Sequence, residues 1–530
     1  MLDLARETLG TQPILTIFLA IGIGYLVGQI NLGGFSLGVG AVLFVGLALG
    51  AFAPKANIVG PIGLTGLVMF LYGIGILYGR QFFEGMAGAE GRKYNFLALI
   101  AVAAGLLVAL GLGHVFGIKI GHTLGMFAGS MTSTATLQAA LEVMKNSDPS
   151  IGYSIAYPFG VIGPILCIYF MTRRVKPSFP EKAQRFHMGE ITLSGDAAGR
   201  TLSNLSRELP AGVQVSMVRV KQDNIVPKDD LVLSGGDALL VVADTEEGLS
   251  LAAAKLGKLE PGRLVQDRSS LDYIRVFVGK GGMVGVPLSQ LALPIGTQVL
   301  HVRRYDADIV PSPDLMLEFG DRVGVLVPPN RKQEVRSTFG DSVKATAEFS
   351  YVSLGIGMAL GILLGLIPIP IPGVGKVTLG IGGGPLIVAL ILGKLRRTGP
   401  LLWTLPLPAN IVLRNFGLSI FLAAVGINAG QPFVRTVADS GLTLLFIGVA
   451  VLLTTVLIVL IVGYYVMKIP YDDLVGVASG ATGNPAILVY STRMAPTDRP
   501  DIGYAMIFPS ATILKVIAVQ IVGLLMLGGG

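Results

Sequence analysis

Ten runs of apolar residues, each about 17 residues or longer, dominate the chain. An α-helix needs roughly 20 apolar residues to cross the hydrocarbon core of a bilayer, so each run is a candidate membrane span. In chain order the runs lie near 13–30, 35–53, 60–79, 95–117, 151–171, 350–368, 377–393, 408–429, 441–467 and 502–527. The sequence therefore predicts an α-helical polytopic membrane protein.

The composition agrees with this prediction and excludes several kinds of site. Of the 530 residues, 52% are hydrophobic and 14% are charged, which lies outside the usual range of soluble globular proteins. The single cysteine, Cys167, lies in an apolar run, so neither a disulfide framework nor a cysteine-based metal site is expected. The net charge of +7 does not indicate nucleic-acid binding, because many basic residues stand at the ends of apolar runs.

Residues 173–349 interrupt the apolar runs and differ from them in kind. They hold more than half of the charged residues, and they contain short alternating stretches such as VQVSMVRV and DALLVVA. Such alternation is typical of half-buried β-strands. We therefore expect a soluble α/β insert that separates two sets of five spans, residues 1–172 and 350–530.

The two sets of spans repeat each other in one register, which carries Gly66 to Gly417. Three blocks align in this register without a gap, namely 66–82 with 417–433, 125–137 with 476–488 and 149–158 with 500–509. Because each set holds an odd number of spans, the second copy starts on the opposite side of the membrane. The sequence predicts an inverted repeat of 5+5 transmembrane helices.

Basic residues indicate the orientation of these spans. Those that follow the odd-numbered spans are Arg80, Arg92, Lys93, Arg173, Arg174, Lys176, Lys394, Arg396, Arg397 and Lys468. All of them fall on one side of the membrane, and an excess of lysine and arginine marks the cytoplasmic side. The insert is therefore expected in the cytoplasm, and both termini are expected outside.

The insert contains a duplication of its own. In the register that carries Asn224 to Asp308, NIVPKDDLVLSGGD (224–237) matches DIVPSPDLMLEFGD (308–321). Each copy has room for several strands around one amphipathic helix, which predicts two similar subdomains, residues 173–265 and 266–349. Both are similar to the TrkA-C domains that regulate cation transporters and channels. No glycine-rich phosphate loop of known spacing accompanies them.

Two Gly-rich polar stretches break the apolar pattern at equivalent places in the repeat. Residues 118–150 contain GSMTSTATLQAA and residues 474–499 contain GATGNPAILVYS. Unwound backbone inside a membrane survives only where protein or a wet cavity surrounds it. Each stretch therefore predicts a re-entrant hairpin, and hairpins that enter from opposite sides can meet near the middle of the bilayer, where many transporters bind substrate.

The residue types in these breaks suit a small anion. Helix starts just after Ser133 and Asn484 would point free N–H groups at the ligand. The candidate substrate-binding residues of the two breaks are Ser130, Thr132, Ser133, Thr134, Gly483, Asn484 and Pro485. The alternative is that these small residues only allow close helix packing, with hydroxyls bonded to carbonyls of their own helix.

Two cations inside apolar runs complete the candidate site. Arg414 could clamp a carboxylate, although it could equally reach the cytoplasmic surface from the end of its span. Lys515 lies within the last run and could pair with a substrate or with a carboxylate of the protein. The spans hold almost no acidic residues, which argues against a carboxylate-based sodium or proton site. No metal and no cofactor is expected.

In its order of segments and in its motifs, the chain resembles the aspartate:alanine exchangers. The resemblance covers nearly the whole length and is carried by LVMFLYGIGILYGRQFF, GMFAGSMTSTATLQAA and VGVASGATGNPAILVY. It implies a homodimeric antiporter of amino acids or small dicarboxylates in a bacterial inner membrane. In the third span Arg80 replaces a proline that the family usually has, which leaves both aspartate/alanine and succinate-like substrates open.

Two other functions compete with antiport. A cation channel or potassium transporter gated by its TrkA-C domains would need a selectivity filter of the TVGYG kind, and the sequence has none. A membrane enzyme would need clustered acid–base or metal-binding residues within the spans, which are also lacking. The expected partners are a small anionic substrate, the lipid bilayer, a second copy of the chain and a small-molecule regulator of the insert, with no nucleic acid.

Overall fold

The computed structural model divides the chain into two compact units. It describes residues 2–30, 37–177, 187–195, 198–221, 223–260, 270–304, 307–341, 349–372, 375–495, 497 and 499–528. The larger unit, called here the membrane unit, comprises Met1–Pro180, Ser350–Trp403 and Asn410–Gly530. The smaller unit, called the insert, comprises Glu181–Phe349 together with Thr404–Ala409.

The membrane unit is built almost entirely from helices. Its first half contains α1 (Leu2–Thr11), α2 (Pro13–Gly28), α3 (Ala41–Phe52), α4 (Gly60–Ala87), α5 (Ala89–Val115), α6 (Ile120–Ser130), α7 (Thr134–Met144) and α8 (Asp148–Val175). Its second half contains α12 (Tyr351–Leu366), α13 (Gly380–Leu395), α14 (Leu407–Leu457), a π-helical continuation (Ile458–Val466), α15 (Tyr471–Thr482), α16 (Pro485–Met494) and α17 (Arg499–Gly528). Two short hairpins pair β10 (Ile369–Ile371) with β11 (Gly375–Val377) and β12 (Arg397–Thr398) with β13 (Leu401–Leu402).

The described residues contain six helical segments that are long and apolar enough to cross a membrane. These are Gly60–Ala87, Ala89–Val115, Asp148–Val175, Leu407–Ala438, Gly441–Val466 and Arg499–Met526. The pair α1 and α2, bent by 108°, adds a seventh if it counts as one span. Other predicted spans form shorter helices: α12 and α13 have 16 residues each, or about 24 Å at 1.5 Å per residue. The chain is a membrane protein, and its described residues form six or seven helical segments of full spanning length, while the inverted repeat of ten spans stays a prediction.

Glycines bring the helices of the two halves into backbone contact. A Cβ atom placed on Gly66 of α4 would lie 2.4 Å from the carbonyl oxygen of Gly417 in α14. A Cβ atom on Gly417 would lie 2.5 Å from the carbonyl oxygen of Gly66. These glycines are equivalent in the repeat, so α4 and α14 meet through the same residue of each half. Small residues permit the close packing that holds helices together in lipid.

A second set of contacts also recurs in the register of the repeat. A Cβ atom on Gly125 of α6 would lie 2.1 Å from the carbonyl oxygen of Pro149 in α8. In the other half, a Cβ atom on Gly476 of α15 would lie 2.3 Å from the carbonyl oxygen of Pro500 in α17. Both residues of the first pair align with their counterparts in the second pair. Helix α6 therefore packs on α8 as α15 packs on α17.

The insert consists of two antiparallel sheets with helices beside them. The first has the strand order β3-β2-β4-β1-β5 and the second has the order β6-β9-β7-β8. The strands are β1 (His187–Leu193), β2 (Val213–Val220), β3 (Asp223–Ile225), β4 (Ala238–Ala243), β5 (Gly257–Glu260), β6 (Asp272–Phe277), β7 (Gln298–Arg304), β8 (Ala307–Ile309) and β9 (Arg322–Val327). The helices are α9 (Leu202–Arg207), α10 (Glu246–Leu256) and α11 (Lys332–Phe339).

The duplication that the sequence predicts is visible in the details of these sheets. Strands β3-β2-β4-β1 follow the same order as β8-β7-β9-β6. The pairing of β2 with β4 shifts between Val215 and Met217, and that of β7 with β9 shifts between Val299 and His301. These two sites align in the register of the duplication. Because the register shift occurs at equivalent positions, it is a shared structural feature of both halves of the insert.

The repeated Gly-Asp pairs close equivalent turns before β4 and β9. The carboxylate of Asp237 accepts a hydrogen bond from the Ser234 N–H, and that of Asp321 accepts one from the Glu318 N–H, both at 2.8 Å. Such side-chain bonds to the backbone favour turns. Burial raises the pKa of Asp321, and the Arg304 guanidinium, which donates to both carboxylate oxygens, opposes that rise.

Substitution of Gly66 or Gly417 by alanine tests the backbone contact between α4 and α14. The added methyl group would overlap a carbonyl oxygen of the facing helix, so each variant should lose about 1–3 kcal/mol of stability. Gly111→Ala is the matched control, because a Cβ atom at Gly111 meets nothing within 4 Å. The melting temperature in detergent should fall for the first two variants and stay constant for the control. Equal melting temperatures for all three would contradict the contact.

Candidate functional site

Two segments of the membrane unit consist of a helix, a short break and a second helix. In the first, α6 ends at Ser130 and α7 begins at Thr134; in the second, α15 ends at Thr482 and α16 begins at Pro485. We call residues 131–133 the first tip and residues 483–484 the second tip. Both tips are buried within the membrane unit.

The first tip is closed by a left-handed helix cap. The N–H of Thr132 donates to the Gly129 carbonyl, and the N–H of Ser133 donates to the Ala128 carbonyl, each at 2.9 Å. This pattern satisfies two carbonyls at the end of α6 and requires a positive φ at its central residue. That residue is Thr132, with φ 45°. Glycine usually occupies the position, so a β-branched residue there is strained.

The second tip is closed in a related way. The N–H of Gly483 donates to the Ser479 carbonyl at 2.8 Å, and Gly483 has φ 94°. A left-handed residue with this single bond is the simpler form of helix cap. Gly483 aligns with Thr132 in the repeat, so both helices end on a left-handed residue at equivalent positions.

The two tips touch each other. The Thr132 hydroxyl donates to the carbonyl of Thr482, the last residue of α15, at 3.2 Å. A Cβ atom on Gly483 would lie 3.5 Å from the Met131 carbonyl oxygen, which belongs to the first tip. The structure therefore brings together two breaks that belong to opposite halves of the chain.

The other predicted hydroxyls of the first segment have separate partners. Ser130 donates to the Gly448 carbonyl of α14 at 2.8 Å. Ser133 does not cap α7, because its Oγ lies 2.6 Å from Oγ1 of Thr136 and makes no bond to a backbone N–H. Thr134, the first residue of α7, is buried. The first N–H groups of α7 have no acceptor within the helix, as at every helix start, and they face the buried tip.

Asn484 and Pro485 form the start of α16. Asn484 is buried, its side chain hydrogen-bonds the hydroxyl of Tyr157, and its carbonyl accepts the Ile487 N–H at 3.1 Å. Pro485 is the first residue of the helix, where a missing N–H costs nothing. The Pro485 side chain is outside the part of the chain that the structure describes.

Lys515 of α17 places a cation at the end of α15. Its side chain has no exposed surface, and its Nζ donates to the Ala481 carbonyl at 2.7 Å. Ala481 lies in the last turn of α15, where the partial negative charge of a helix favours a cation. No carboxylate among the described residues forms an ion pair with this ammonium. A single carbonyl leaves two of its three N–H donors for another ligand.

Arg414 reaches the second tip only through two tyrosines. The half-buried guanidinium hydrogen-bonds Tyr78, whose ring lies edge-on to that of Tyr504 with the ring centroids 5.6 Å apart. The Tyr504 hydroxyl donates to the Gly483 carbonyl at 3.3 Å. Among the described residues, no hydrogen bond or ion pair joins Arg414 to either tip.

A polar pair joins the first helix of each segment to the long helix that follows it. His122 of α6 lies 3.5 Å from Asp148 of α8, and Asp473 of α15 lies 2.5 Å from Arg499 of α17. The two pairs are equivalent in the repeat, but the acidic residue lies on the long helix in the first pair and on the shorter helix in the second. Tyr94 donates to Asp473 at 2.8 Å and strengthens the second pair. These pairs were not predicted from the sequence.

A cavity of about 520 Å³ adjoins α7 on the side away from the first tip. Gln138, Ser150 and Asn428 are among its polar lining residues.

Within the described ranges, no group of three or more histidine, cysteine, aspartate or glutamate side chains could hold a metal ion. The tips thus offer hydroxyl, amide, N–H and ammonium donors, which are the groups that bind an anion.

Comparison with known proteins decides the family. Residues 16–173 and 353–524, which include both tips, match the Asp-Al_Ex family model, described as a predicted permease membrane region. The chain belongs to the aspartate–alanine exchanger family. Residues 273–340 of this exchanger-family protein also match the TrkA-C domain model. That match covers the second half of the insert, where β6–β9 and α11 lie.

Relatives that match this chain over nearly their whole length are named as transporters. Uncharacterized transporters of Geobacter sulfurreducens and of Corynebacterium diphtheriae are 38% and 35% identical to this chain, each match covering 96% of this chain and 98% of the relative. An uncharacterized transporter of Symbiobacterium thermophilum is 38% identical over 98% of this chain and 99% of its own length. The chain is therefore a member of a family of membrane transporters.

Sequence analysis did not identify the tyrosines beside the tips of this exchanger-family protein, although the sequence carries a signal for them. Tyr153 and Tyr504 occupy the same position in the aligned blocks PSIGYSIAYP and PDIGYAMIFP. In the structure the Tyr153 ring lies 5.3 Å from that of Tyr157, and the Tyr504 ring lies 5.3 Å from that of Phe508. A repeated aromatic next to two polar breaks indicates that both breaks have an aromatic wall.

Lys515→Met separates a structural from a ligand-binding role of the buried ammonium. If Lys515 only caps α15, its loss leaves the Ala481 carbonyl unsatisfied and should cost about 1–3 kcal/mol. If it is kept for a ligand, the ligand-free protein should be at least as stable without it, because burying an unpaired ammonium is unfavourable. We expect an unchanged or higher melting temperature for Lys515→Met. Thr512→Val, which removes a hydroxyl bonded within α17, is the control.

Proposed function

We propose that this protein is an antiporter that exchanges small carboxylate-bearing substrates by alternating access. The substrates are aspartate and alanine or dicarboxylates such as succinate. One observation carries the proposal: the two tips, at equivalent positions of the repeat, contact each other beside a fully buried ammonium. A buried site at the meeting point of two interrupted helices is the arrangement that secondary transporters use.

The donors around the tips support an anionic substrate. Ser133 and Asn484 precede the helices α7 and α16, whose N-terminal ends carry partial positive charge. The ammonium of Lys515 supplies a full charge from the opposite direction, at the end of α15. A substrate carboxylate would receive hydrogen bonds from both half-helices and neutralise a lysine that otherwise has only a carbonyl partner. Ser130, Thr132, Thr134, Gly483, Pro485 and Arg414 complete the proposed site.

An inverted repeat of 5+5 transmembrane helices, each with a re-entrant hairpin, gives this site access to both sides of the membrane. The glycine contacts that recur in the register of the repeat support two halves of one design. The short helices α2, α3, α12 and α13 would complete the ten crossings as tilted or partly inserted spans. The two hairpins would then enter from opposite sides, so that movement of one half opens the site outward and movement of the other opens it inward.

We also propose where the protein is located and how it assembles. The positive-inside rule supports a bacterial inner membrane protein with a cytoplasmic insert and both termini outside. The insert, with two TrkA-C-like subdomains, is proposed to regulate transport rather than to take part in it. A homodimer is the proposed assembly, and a small molecule that binds the insert is the proposed regulator.

Counterflow in proteoliposomes tests the exchange directly. Vesicles that contain the purified protein are loaded with unlabelled aspartate, alanine or succinate, and uptake of the labelled compound is followed from outside. An antiporter should accumulate label transiently only when a transported substrate is present inside. Uptake that does not depend on internal substrate, or a potassium conductance without exchange, would contradict antiport and favour a channel.

The tip residues should determine substrate affinity. Ser133→Ala and Asn484→Ala each remove a hydrogen-bond donor to a charged group, which should weaken binding about 10- to 100-fold. Thr454→Ala is the matched control, because the Thr454 hydroxyl bonds only the Ala450 carbonyl of its own helix. Calorimetric titration with the substrate that counterflow identifies gives the affinities.

The same titrations distinguish binding from packing. If the tips serve only to pack helices, alanine should fit as well as serine, and affinity should match the control in both variants. The melting temperature of Ser133→Ala should stay close to that of the unmodified protein, whereas Asn484→Ala, which also removes the bond to the Tyr157 hydroxyl, should lose about 1–3 kcal/mol of stability. A large fall in stability with unaltered affinity would assign the tips to folding instead of transport.

A further inference from the structure

The insert contains a cleft that the transport site does not involve. The cleft has a volume of about 900 Å³ and is lined by residues of both halves of the insert. Ligand pockets in proteins commonly have volumes of about 300–1,000 Å³. Apolar side chains from both sheets, including Met217, Leu240 and Leu300, pack in one cluster. The cleft is therefore held open by two subdomains that share a core.

Equivalent residues of the duplication line this cleft. Gln214 at the start of β2 and Gln298 at the start of β7 both line it, and they align in the register that relates the two copies. Pro227 and Pro311, a second aligned pair, line it as well. The cleft thus lies where the two copies of one subdomain meet, with an amide side chain from each.

The two halves differ in charge at the cleft. The first half contributes the carboxylates of Asp229 and Asp244. The counterpart of Asp229 in the second copy is Pro313, which also lines the cleft. The described lining includes no lysine, arginine or histidine. One side of the cleft is therefore acidic and the other is apolar.

Two further observations favour a ligand on the acidic side. The side-chain oxygen of Gln214 is buried and has no hydrogen-bond partner among the described residues. A buried acceptor without a donor costs free energy, and each such group in a native protein calls for an explanation. Gly212 has φ 80°, and a Cβ atom there would lie 2.1 Å from a carboxylate oxygen of Asp244. Only glycine lets that carboxylate lie against the backbone at the mouth of the cleft.

We propose that the cleft binds a small organic cation, an amine or guanidinium attached to an apolar body. The cationic group would pair with Asp229 and Asp244 and donate to the Gln214 oxygen, and the apolar body would lie against the prolines of the second half. An anionic ligand such as a nucleotide would meet two carboxylates and no positive charge. A bare metal ion would find too few ligands, since no group of three suitable side chains occurs among the described residues.

Phenethylamine is a suitable probe, with two analogues of the same shape as controls. Phenylacetate carries the opposite charge and 2-phenylethanol carries none. Calorimetric titration of the full-length protein should show binding of the amine and of neither analogue. Asp229→Asn and Asp244→Asn should each weaken that binding about tenfold by removing a charge-assisted bond. Asp230→Asn is the matched protein control, because Asp230 is exposed beside Asp229 but does not line the cleft.

Three results would overturn the proposal. The first is no binding of phenethylamine to the unmodified protein. The second is equal binding of phenylacetate or 2-phenylethanol, which would show that the carboxylates do not select charge. The third is an unchanged affinity of the amine in both Asp229→Asn and Asp244→Asn. Equal weakening by Asp230→Asn would also contradict the site, because it would indicate attraction to the general charge of the surface.

Discussion

Backbone hydrogen bonding at the two tips is the constraint on which the rest of the membrane unit depends. A helix that ends inside an apolar unit leaves carbonyls and N–H groups that water cannot reach, and each unsatisfied group is costly. At the end of α15, the Lys515 ammonium donates a hydrogen bond to the Ala481 carbonyl, and the Thr132 hydroxyl donates one to the Thr482 carbonyl. These carbonyls are thus satisfied by protein, whereas the first N–H groups of α7 have no acceptor within the helix. That difference supports the proposed binding of an anion at the tips.

The two halves are equivalent in design but differ in detail. Thr132 and Gly483 both adopt the left-handed conformation, and only glycine does so without strain. The first tip therefore contains about 1–3 kcal/mol of backbone strain that the second does not. The Tyr504 hydroxyl bonds the second tip, whereas the Tyr153 hydroxyl is buried and has no hydrogen-bond partner among the described residues. If the protein works by alternating access, as proposed, the halves exchange roles during the cycle, and such differences are expected in any one state.

Much of this organisation could be predicted from the sequence, because repeats and polar breaks are local patterns. The register of the long repeat aligns glycines that prove to be in contact, and the duplication within the insert predicts the same strand order in both of its halves. The helix starts after Ser133 and Asn484 follow from residue types that cap or begin helices. The number of helices that cross the bilayer stays a prediction, since hydropathy gives the extent of an apolar run but not where its helix ends.

What the sequence could not provide are contacts between distant positions. Nothing in the chain indicates that Thr132 bonds the Thr482 carbonyl, or that Arg414 hydrogen-bonds Tyr78. The pairing of His122 with Asp148 and of Asp473 with Arg499 also depends on how α6 and α15 pack. Each pair joins residues of different helices, and the hydropathy pattern that predicts the helices contains no information about their facing sides.

The most direct test of the proposed transport site is an experimental structure of the protein in lipid nanodiscs with the substrate that counterflow identifies, at saturating concentration. We expect substrate density between Ser133 and Asn484, with a carboxylate within hydrogen-bonding distance of the Lys515 ammonium. Density in the cavity beside Gln138 and Asn428 instead, with both tips unchanged and empty, would contradict the claim that the meeting point of the two broken helices is the transport site.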